Sequence, residues 1–446
     1  VLHIAEDSLE FLEEYKIREL LTKYNKFMPV PIKFGTKKEA LPKPDDAGDD
    51  YKAEYIDVDN FINNPNPAWT KQPTELSDED YKKFYRELYP SQFEEPLFHI
   101  HLNVDYPFNL TGILYFPKLG SDLQIQKDKI QLYQNQVFVT DNVEGIVPEF
   151  LLMLKGVVDS PDIPLNVSRS GLQADSNVKK ISNYITRKVA DKLKSLFNEN
   201  REDFEAKWHD IKIVLEYGML SEPKFYEKSS DFVLYPTTEN KHYTLAELKE
   251  ATKDLQTDKD GKLVVLYASN KETQHSYIDI ATSKGYQVLL FDSPIVSHLI
   301  QKLEADNENL TFARVDADHI DKLINKEEVQ ISKLSDTEKE TLKTSLEAVI
   351  PKAYSVQLES LDSDATPFII TQPEFMRRMK EMSQSGGGGM FGMSNMPEMY
   401  NLVVNANSEL ANSILEAKDE AQKELVKNAL DLAKLSQGLL KGEELT

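Results

Sequence analysis

The segment with the clearest potential for chemistry is VVDSPDIPLNVSRSGLQADSNVKKI. Its two prolines hold the chain extended up to Asn166, and a turn follows at Gly171. Arg169 and Gln173 are four residues apart, so a helical turn projects both side chains from one face. An arginine on a short loop presents a planar fork of donors to phosphate oxygens. The spacing is therefore compatible with contact with a phosphate group, but the residues alone favour the alternative, a solvated helix with one surface arginine.

The helix predicted after this segment is basic. Residues 179–194 contain six lysines and arginines but one aspartate, a local excess of five positive charges. In an acidic chain such a helix attracts a phosphate or an acidic partner. An ordinary solvated helix face is again the alternative.

A second candidate is a methionine cluster, because seven of the ten methionines fall between Met376 and Met399. Flexible, polarizable methionine recurs on surfaces that fit many partners. An ordinary core stripe is the alternative, although the neighbouring Gly386–Gly389 run predicts a flexible loop, beside which a packed core is seldom built. One predicted helix face carries Phe375, Met376, Met379 and Met382.

Other signals are weaker. His99 and His101 share one face of a predicted strand, but no third metal ligand has suitable spacing, so an exposed strand face is expected. Trp69, in NPAWTKQP, is interpreted either as a contact point or as a structural anchor. The sequence has no GxxxxGK[ST] loop, no GxGxxG and no HExxH, so no motif for nucleotide binding or zinc hydrolysis accompanies these residues.

The elements that position these residues form a mixed α/β pattern. FHIHLNV alternates apolar and polar residues as a half-buried strand does, and LTGILYF, IQLYQ and VFVT follow at short spacing. Apolar residues between Ile181 and Phe197 recur at helical spacing and predict an amphipathic helix. A second alternation of strands and helices begins at KLVVLYA and indicates a small parallel α/β layer. From Ser335 onward the pattern is mostly helical.

The last predicted helix is apolar around most of its circumference, so it must be buried among several neighbours. Either a second copy of the chain completes a bundle around it, or it is a core helix of one chain. The residues give no preference between the two. Its apolar positions include Leu425, Ala429, Leu432, Leu435 and Leu439.

Composition sets the broader limits. The chain has 446 residues, 51.0 kDa, a net charge of −23, no cysteine and a mean hydropathy of −0.48. The negative charge argues against binding to nucleic acid or anionic membranes, and the lack of cysteine excludes disulfides and thiolate sites. The sequence therefore predicts an acidic, cytoplasmic protein of several domains, with a solvated linker at residues 36–54.

Several of these segments resemble the ninety-kilodalton heat-shock chaperone family. NPAWTKQP, FYRELYP, GILYFP and QVFVTDNVEGIVPEFLLMLKGVVDSPDIPLNVSRSGLQ are similar to the family's middle domain. LEFLEEYKIRELLTKYNKFMPVPI resembles the end of its nucleotide-binding domain, and MYNLVVNAN and ALDLAKLSQGLL resemble its dimerisation domain. A short linker and the lack of a MEEVD tail resemble the family's bacterial branch.

The resemblance implies an α/β (α+β) architecture with defined domains. Residues 1–35 would be the remnant of a nucleotide-binding domain, and residues 36–54 a charged linker. The middle domain would span 55–333, with a large α/β part at 55–200, a helical part at 201–258 and a small α/β part at 259–333. The mostly helical dimerisation domain would span 334–446, with its last helix truncated.

The resemblance also implies a function, that of an ATP-dependent, homodimeric stress chaperone that binds partly folded client proteins. Arg169, supported by Gln173, would contact the γ-phosphate of ATP and Mg held in a nucleotide-binding domain that this chain lacks. No nucleotide or metal is expected on this chain alone, and it is expected not to hydrolyse ATP. Trp69, Phe375, Met376, Met379 and Met382 would contact clients, and the apolar positions of the last helix would form the dimer.

Two rival functions follow from the residues without the resemblance. One is a free-standing phosphate-handling α/β enzyme centred on Arg169 and the basic helix, although its catalytic base is unidentified. The other is a passive dimeric scaffold without affinity for clients.

Overall fold

A computed structural model describes residues 3–41, 54–118, 129–164, 175–325, 331–363, 365–385 and 399–440. The chain divides into two compact units, Val1–Ser229 and Ser230–Thr446. Both contain helices and small sheets, which confirms the predicted mixed α/β fold. The predicted limit at residue 333 falls inside the second unit, and the family-derived domain boundaries stay predictions.

The first unit contains five α-helices and seven strands within the described residues. The strands are β1 (Lys33–Ala40), β2 (Tyr55–Phe61), β3 (Phe98–Val104), β4 (Leu110–Phe116), β5 (Ile130–Gln134), β6 (Val137–Thr140) and β7 (Lys155–Asp159). The helices are α1 (Glu14–Asn25), α2 (Asp78–Leu88), α3 (Ser176–Glu199), α4 (Arg201–Ser221) and α5 (Pro223–Ser229). Because β1 reaches Ala40, part of the predicted linker is a strand paired with β2.

The main sheet of the first unit has the strand order β3-β4-β7-β5-β6, with β5 and β7 parallel and the other pairs antiparallel. Its central strands approach closely at Gly156, where a Cβ atom would lie 2.0 Å from the carbonyl oxygen of Ile113. The φ of +132° at Gly156 also disfavours any other residue. The alternation predicted for FHIHLNV is present, since Ile100 and Leu102 are buried.

An aromatic cluster packs against this sheet. The Trp69 ring lies 4.8 Å from the ring of Phe27 and 5.2 Å from that of Tyr133, measured between centroids. Phe27 belongs to the segment after α1, so this early segment is part of the first unit's core. The predicted amphipathic helix is α3, whose buried stripe includes Ile181, Ile185 and Val189.

The second unit contains eight helices and eight strands within the described residues. The strands are β8 (Tyr235–Pro236), β9 (His242–Tyr243), β10 (Leu263–Ala268), β11 (Val288–Leu290), β12 (Leu310–Arg314), β13 (Tyr354–Glu359), β14 (Phe368–Thr371) and β15 (Tyr400–Asn405). The helices are α6 (Leu245–Gln256), α7 (His275–Ser283), α8 (Val296–Ala305), α9 (Ile320–Leu323), α10 (Asp336–Glu347), α11 (Glu374–Ser385), α12 (Glu409–Glu416) and α13 (Asp419–Ser436).

Two three-stranded sheets organise the second unit. The parallel sheet β11-β10-β12 is the α/β layer that the sequence predicts. The second sheet, β13-β15-β14, lies in the region with a mostly helical pattern and was missed. Ile369 of β14 and Val403 of β15 share a core cluster with Val264 and Leu266 of β10. The two sheets are therefore packed into one body, and α11 follows directly after β14.

Candidate functional site

Helix α11 rests on the second unit by its charged face. The Arg377 side chain is 5% exposed, whereas Phe375 is 71% exposed. A surface helix normally turns its apolar stripe toward the core and its charges toward solvent. The orientation of α11 is the reverse, so the contacts of its arginines decide how it is held.

Arg377 binds two carboxylates of its own helix and one hydroxyl from another element. Its Nη2 donates to the Tyr267 hydroxyl at 2.5 Å and to Glu374 Oε1 at 2.6 Å. Its Nη1 donates to Glu381 Oε1 at 2.7 Å. The Ser297 hydroxyl donates to the other oxygen of Glu381 at 2.5 Å, which joins α11 to the start of α8. Arg377 thus links its own helix to β10, which carries Tyr267.

Arg378 extends the network to a second side. Its Nε donates to Glu374 Oε1 at 2.6 Å, and its Nη1 donates to Glu304 Oε2 at 2.9 Å. Its Nη2 donates to the carbonyl oxygen of Phe312 in β12 at 2.6 Å. Arg378 is therefore held by α8, by β12 and by the first turn of its own helix.

A third arginine fixes the entry to α11. The Nε and Nη2 atoms of Arg314 donate to the two oxygens of Asp316 at 2.5 and 2.8 Å. Its Nη2 also donates to Gln372 Oε1 at 2.7 Å, and its backbone N–H donates to Glu374 Oε2 at 3.3 Å. The residues just before α11 are therefore tied to the end of β12.

The network is charged at neutral pH. Burial opposes ionisation of Glu374, but the guanidinium groups of Arg377 and Arg378 outweigh it and lower the pKa of the carboxyl group. Removing one partner of a buried ion pair leaves an uncompensated charge and costs about 3–5 kcal/mol. We call Arg314, Arg377, Arg378, Glu304 and Glu374 the ionic base of α11.

The opposite side of α11 presents apolar groups. Phe375 is largely exposed and Met379 is half-buried. The side chains of Met376 and Met382, and the glycine run, lie outside the described residues. An exposed aromatic ring on a firmly held helix suits contact with apolar groups of another protein.

Helix α13 carries four of the five positions predicted for dimerisation, and the fifth, Leu439, lies just after its end. Ala429 is buried in the core of the second unit, and Leu425 and Leu439 are partly buried against that core. Leu432 and Leu435 are 65% and 58% exposed. The helix is thus a core helix on one face, as one of the two alternatives predicted, and keeps an exposed pair of leucines on the other.

Arg169 and Gln173 lie outside the described residues, but both ends of their segment are described. Before it, Asp159 of β7 accepts hydrogen bonds from the Trp69 indole at 3.2 Å and from the backbone N–H of Gln136 at 2.9 Å. After it, Asp175 Oδ1 caps α3 by accepting from the N–H of Asn177 at 2.7 Å. Asp159 and Asp175, which are among the described residues, are thus each held by hydrogen bonds.

Trp69 is a packing residue in this structure. Its side chain has no exposed surface, and its indole N–H is bound to Asp159. Contact with a client would require this core to open, so the client contact predicted for Trp69 is wrong for this conformation. The structural-anchor interpretation is confirmed.

His99 and His101 are not on an exposed strand face, so that expectation is wrong. The His99 ring stacks on Tyr81 of α2 at 3.6 Å between centroids, and the Tyr81 hydroxyl lies 2.8 Å from His101 Nδ1. Burial lowers the pKa of each imidazole to about 4. The described residues contain no group of three side chains arranged to bind a metal. They also contain no helix with the length and apolar character to cross a membrane.

Comparison with known proteins adds a family match. Residues 43–440 match the family described as "Hsp90 protein". The chain is 52% identical over 425 residues to Chaperone protein HtpG of Bacteroides thetaiotaomicron, covering 94% of this chain and 61% of that protein. The protein of that name from Porphyromonas gingivalis W83 is 50% identical over 448 residues, covering 100% of this chain and 64% of the relative. The chain thus spans less than two thirds of the length of each of these relatives.

We predict that acid destabilises the first unit through these histidines. The folded pKa of each is about 4 and the unfolded value is near 6.5, so the unfolded state binds more protons between these limits. Stability should therefore fall as the pH falls from 6.5 toward 4. Urea unfolding followed by tryptophan fluorescence reports this unit, because both tryptophans lie in it.

The double variant His99→Gln/His101→Gln provides the control. Its stability should depend less steeply on pH over the same interval, whatever its absolute stability. Equal pH dependence in the parent and the variant would show that these imidazoles do not carry the effect.

Proposed function

Because this chain belongs to the Hsp90 family, we propose that it is part of a chaperone that binds partly folded client proteins through the outward apolar face of α11. The single observation that carries the proposal is the inverted orientation of this helix. Its arginines point into the protein, and Phe375 points to solvent.

The ionic base supports this proposal energetically. An exposed aromatic ring on a mobile helix would lose conformational freedom when a client binds. Helix α11 has already lost that freedom, because Arg377 and Arg378 are tied to β10, β12 and α8. Client contacts with Phe375 and Met379 therefore do not have to offset an entropy cost of ordering the helix. Methionine, being flexible, fits clients of differing shape.

We also propose that the chaperone is a homodimer joined through α13. Exposed Leu432 and Leu435 are three residues apart and so lie on one side of the helix. Two large apolar side chains at this spacing are suited to a helical seam with a second copy.

The third part of the proposal concerns ATP. Arg169, supported by Gln173, would contact the γ-phosphate of ATP and Mg bound by an Hsp90-family nucleotide-binding domain, and would stabilise charge on the transferred phosphoryl group. Support comes from the motif and from the two anchors that flank its segment, at Asp159 and Asp175. This chain alone is expected to be inactive as an ATPase, and the site of action would be the cytoplasm.

We predict that Phe375→Ser/Met379→Ser impairs client binding without unfolding the protein. Loss of the two apolar contacts should cost about 1.4 kcal/mol or more of binding free energy, so about tenfold or more chaperone should be needed for half-maximal protection. The measurement is light scattering of a chemically unfolded enzyme that aggregates on dilution, with circular dichroism to verify folding.

Leu9→Ser/Leu12→Ser is the matched control, because it removes two exposed leucines from the first unit. It should protect as the parent does. Equal loss of protection in both variants would show that protection depends on the total exposed apolar surface and not on α11. Full protection by the α11 variant would refute the proposed site.

We predict that Arg169→Ala lowers kcat for ATP hydrolysis by about 10³-fold or more when this sequence follows an Hsp90-family nucleotide-binding domain. The reason is loss of the positive charge at the γ-phosphate. Steady-state phosphate release measures it, and Arg187→Ala, in the basic helix α3, is the control. Unchanged turnover in the Arg169 variant would exclude its proposed role.

We predict that the chain has twice its 51.0 kDa mass in light scattering, and that Leu432→Asp/Leu435→Asp reduces this to the single-chain value. The two substitutions would place carboxylates in the apolar seam between the two copies of α13, where their burial is unfavourable. Leu12→Asp, at a leucine exposed to the same 65%, is the control and should stay dimeric. A parent chain at the single-chain mass, or a variant that retains the double mass, would contradict the seam.

A further inference from the structure

The sulfur atoms of this chain all belong to methionine. The sequence has ten methionines and no cysteine, so no thiol competes with the thioethers for an oxidant. Among the described residues, Met399 is the most exposed methionine, at 57%, whereas Met219 is 2% exposed. A soluble oxidant must reach the sulfur atom, and in the described part of the chain it reaches Met399 most easily.

The backbone beside Met399 is held in place. The next residue, Tyr400, donates its N–H to the carbonyl oxygen of Ala353 at 3.1 Å. Asn401 then pairs with β13 on one side and with β14 on the other. Met399 therefore lies at the entry to the central strand of this sheet, with an exposed side chain beside an anchored backbone.

The same end of the sheet leads into α11. Strands β14 and β15 are antiparallel, and Thr371 at the end of β14 pairs with Asn401 near the start of β15. Phe375 is four residues after Thr371 and Met399 is two residues before Asn401. The Cα atoms of Phe375 and Met399 are therefore at most about 27 Å apart. An extended client segment of about eight residues spans that distance, so one client chain can contact both side chains.

The alternation along β15 indicates the side of the sheet on which Met399 lies. Side chains two residues apart in a strand point to the same face, so continuing the alternation gives Met399 the face of Val403. Val403 belongs to the core cluster that includes Leu266 of β10. The next residue of β10, Tyr267, accepts a hydrogen bond from Arg377 of α11. Met399 is thus placed on the side of the sheet that carries α11.

We propose that Met399 is a modification site at which hydrogen peroxide converts the thioether to a sulfoxide, and that this sulfoxide weakens client binding beside α11. A lone pair of the sulfur attacks one peroxide oxygen, so the S–O bond forms as the O–O bond breaks. The hydroxide that leaves takes the proton of the new S–OH group, which gives the sulfoxide and water. Sulfur is oxidised and the peroxide is reduced, each by two electrons. The part of the inference that concerns clients rests on the proposed function of α11.

The sulfoxide changes the surface that a client meets. It makes a flexible apolar side chain polar, and its oxygen is a hydrogen-bond acceptor. Burying that oxygen against an apolar client side chain leaves the acceptor without a partner, which is unfavourable. Client affinity should therefore fall when Met399 is oxidised.

Peptide mass spectrometry of the folded parent chain, sampled during treatment with hydrogen peroxide, tests the modification itself. Met399 should be oxidised about tenfold or more faster than Met219, because only the Met399 side chain is open to solvent. Equal rates at the two residues would overturn the assignment of the site. This measurement involves no client.

Two substitutions at Met399 test the effect on clients. Met399→Gln places a polar acceptor there, as the sulfoxide does, and should raise the chain concentration for half-maximal protection of an aggregating enzyme about fivefold or more. Met399→Leu, which stays apolar, should protect as the parent does. Leu255→Gln, at an exposed residue of α6 in the same unit, is the control for a general loss of apolar surface and should also protect fully.

The outcomes separate this inference from the proposed function. Full protection by Met399→Gln, while Phe375→Ser/Met379→Ser loses protection, would overturn the inference and leave the client contact of α11 standing. Full protection by both would overturn the client contact as well. Equal loss in Met399→Gln and Leu255→Gln would contradict a specific role for Met399.

Discussion

The second unit depends on keeping its buried arginines paired. Arg377 and Arg378 have been taken out of water, which is costly, and their ion pairs and hydrogen bonds offset that cost, although Nε of Arg377 has no hydrogen-bond partner among the described residues. Glu374, Glu304, Tyr267 and a backbone carbonyl provide those partners. Because the charged side of α11 is engaged in this network, Phe375 on another side of the helix faces solvent.

The sheets make the network possible. Tyr267 lies near the end of β10, while Arg314 ends β12, so the parallel layer places both beside the start of α11. The shared core under β14 fixes the strand that leads into the helix. Several elements thus hold α11 at its first two turns. The Phe375 ring is therefore exposed on a helix that is held in place. It differs in this from a hydrophobic patch that becomes exposed only when part of a protein unfolds locally.

Sequence patterns predicted the helices and strands whose apolar residues repeat regularly within one short segment. The half-buried strand β3, the amphipathic helix α3 and the parallel layer have clear periods of two or 3.6 residues. The sheet β13-β15-β14 was missed because its strands are separated in the sequence by helical patterns. The burial of Arg377 escaped prediction for another reason: its partner Tyr267 lies in β10, 110 residues earlier in the chain, and sequence spacing does not reveal such a contact. Trp69 was likewise placed by Phe27 and Asp159, both distant in sequence. Local spacing singled out Arg169, but only the family motif favoured a role for it at a phosphate group.

Methyl NMR of the parent chain, labelled with ¹³C at the methionine ε-methyl groups, tests whether an unfolded client binds at α11. The Met379 resonance, assigned with a Met379→Leu variant, is followed as an unfolded client is added. Met219, 2% exposed in the first unit, is the internal reference. If the client contacts α11, the Met379 signal shifts or broadens while the Met219 signal does not. An unchanged Met379 signal under conditions in which the chain suppresses aggregation would contradict it.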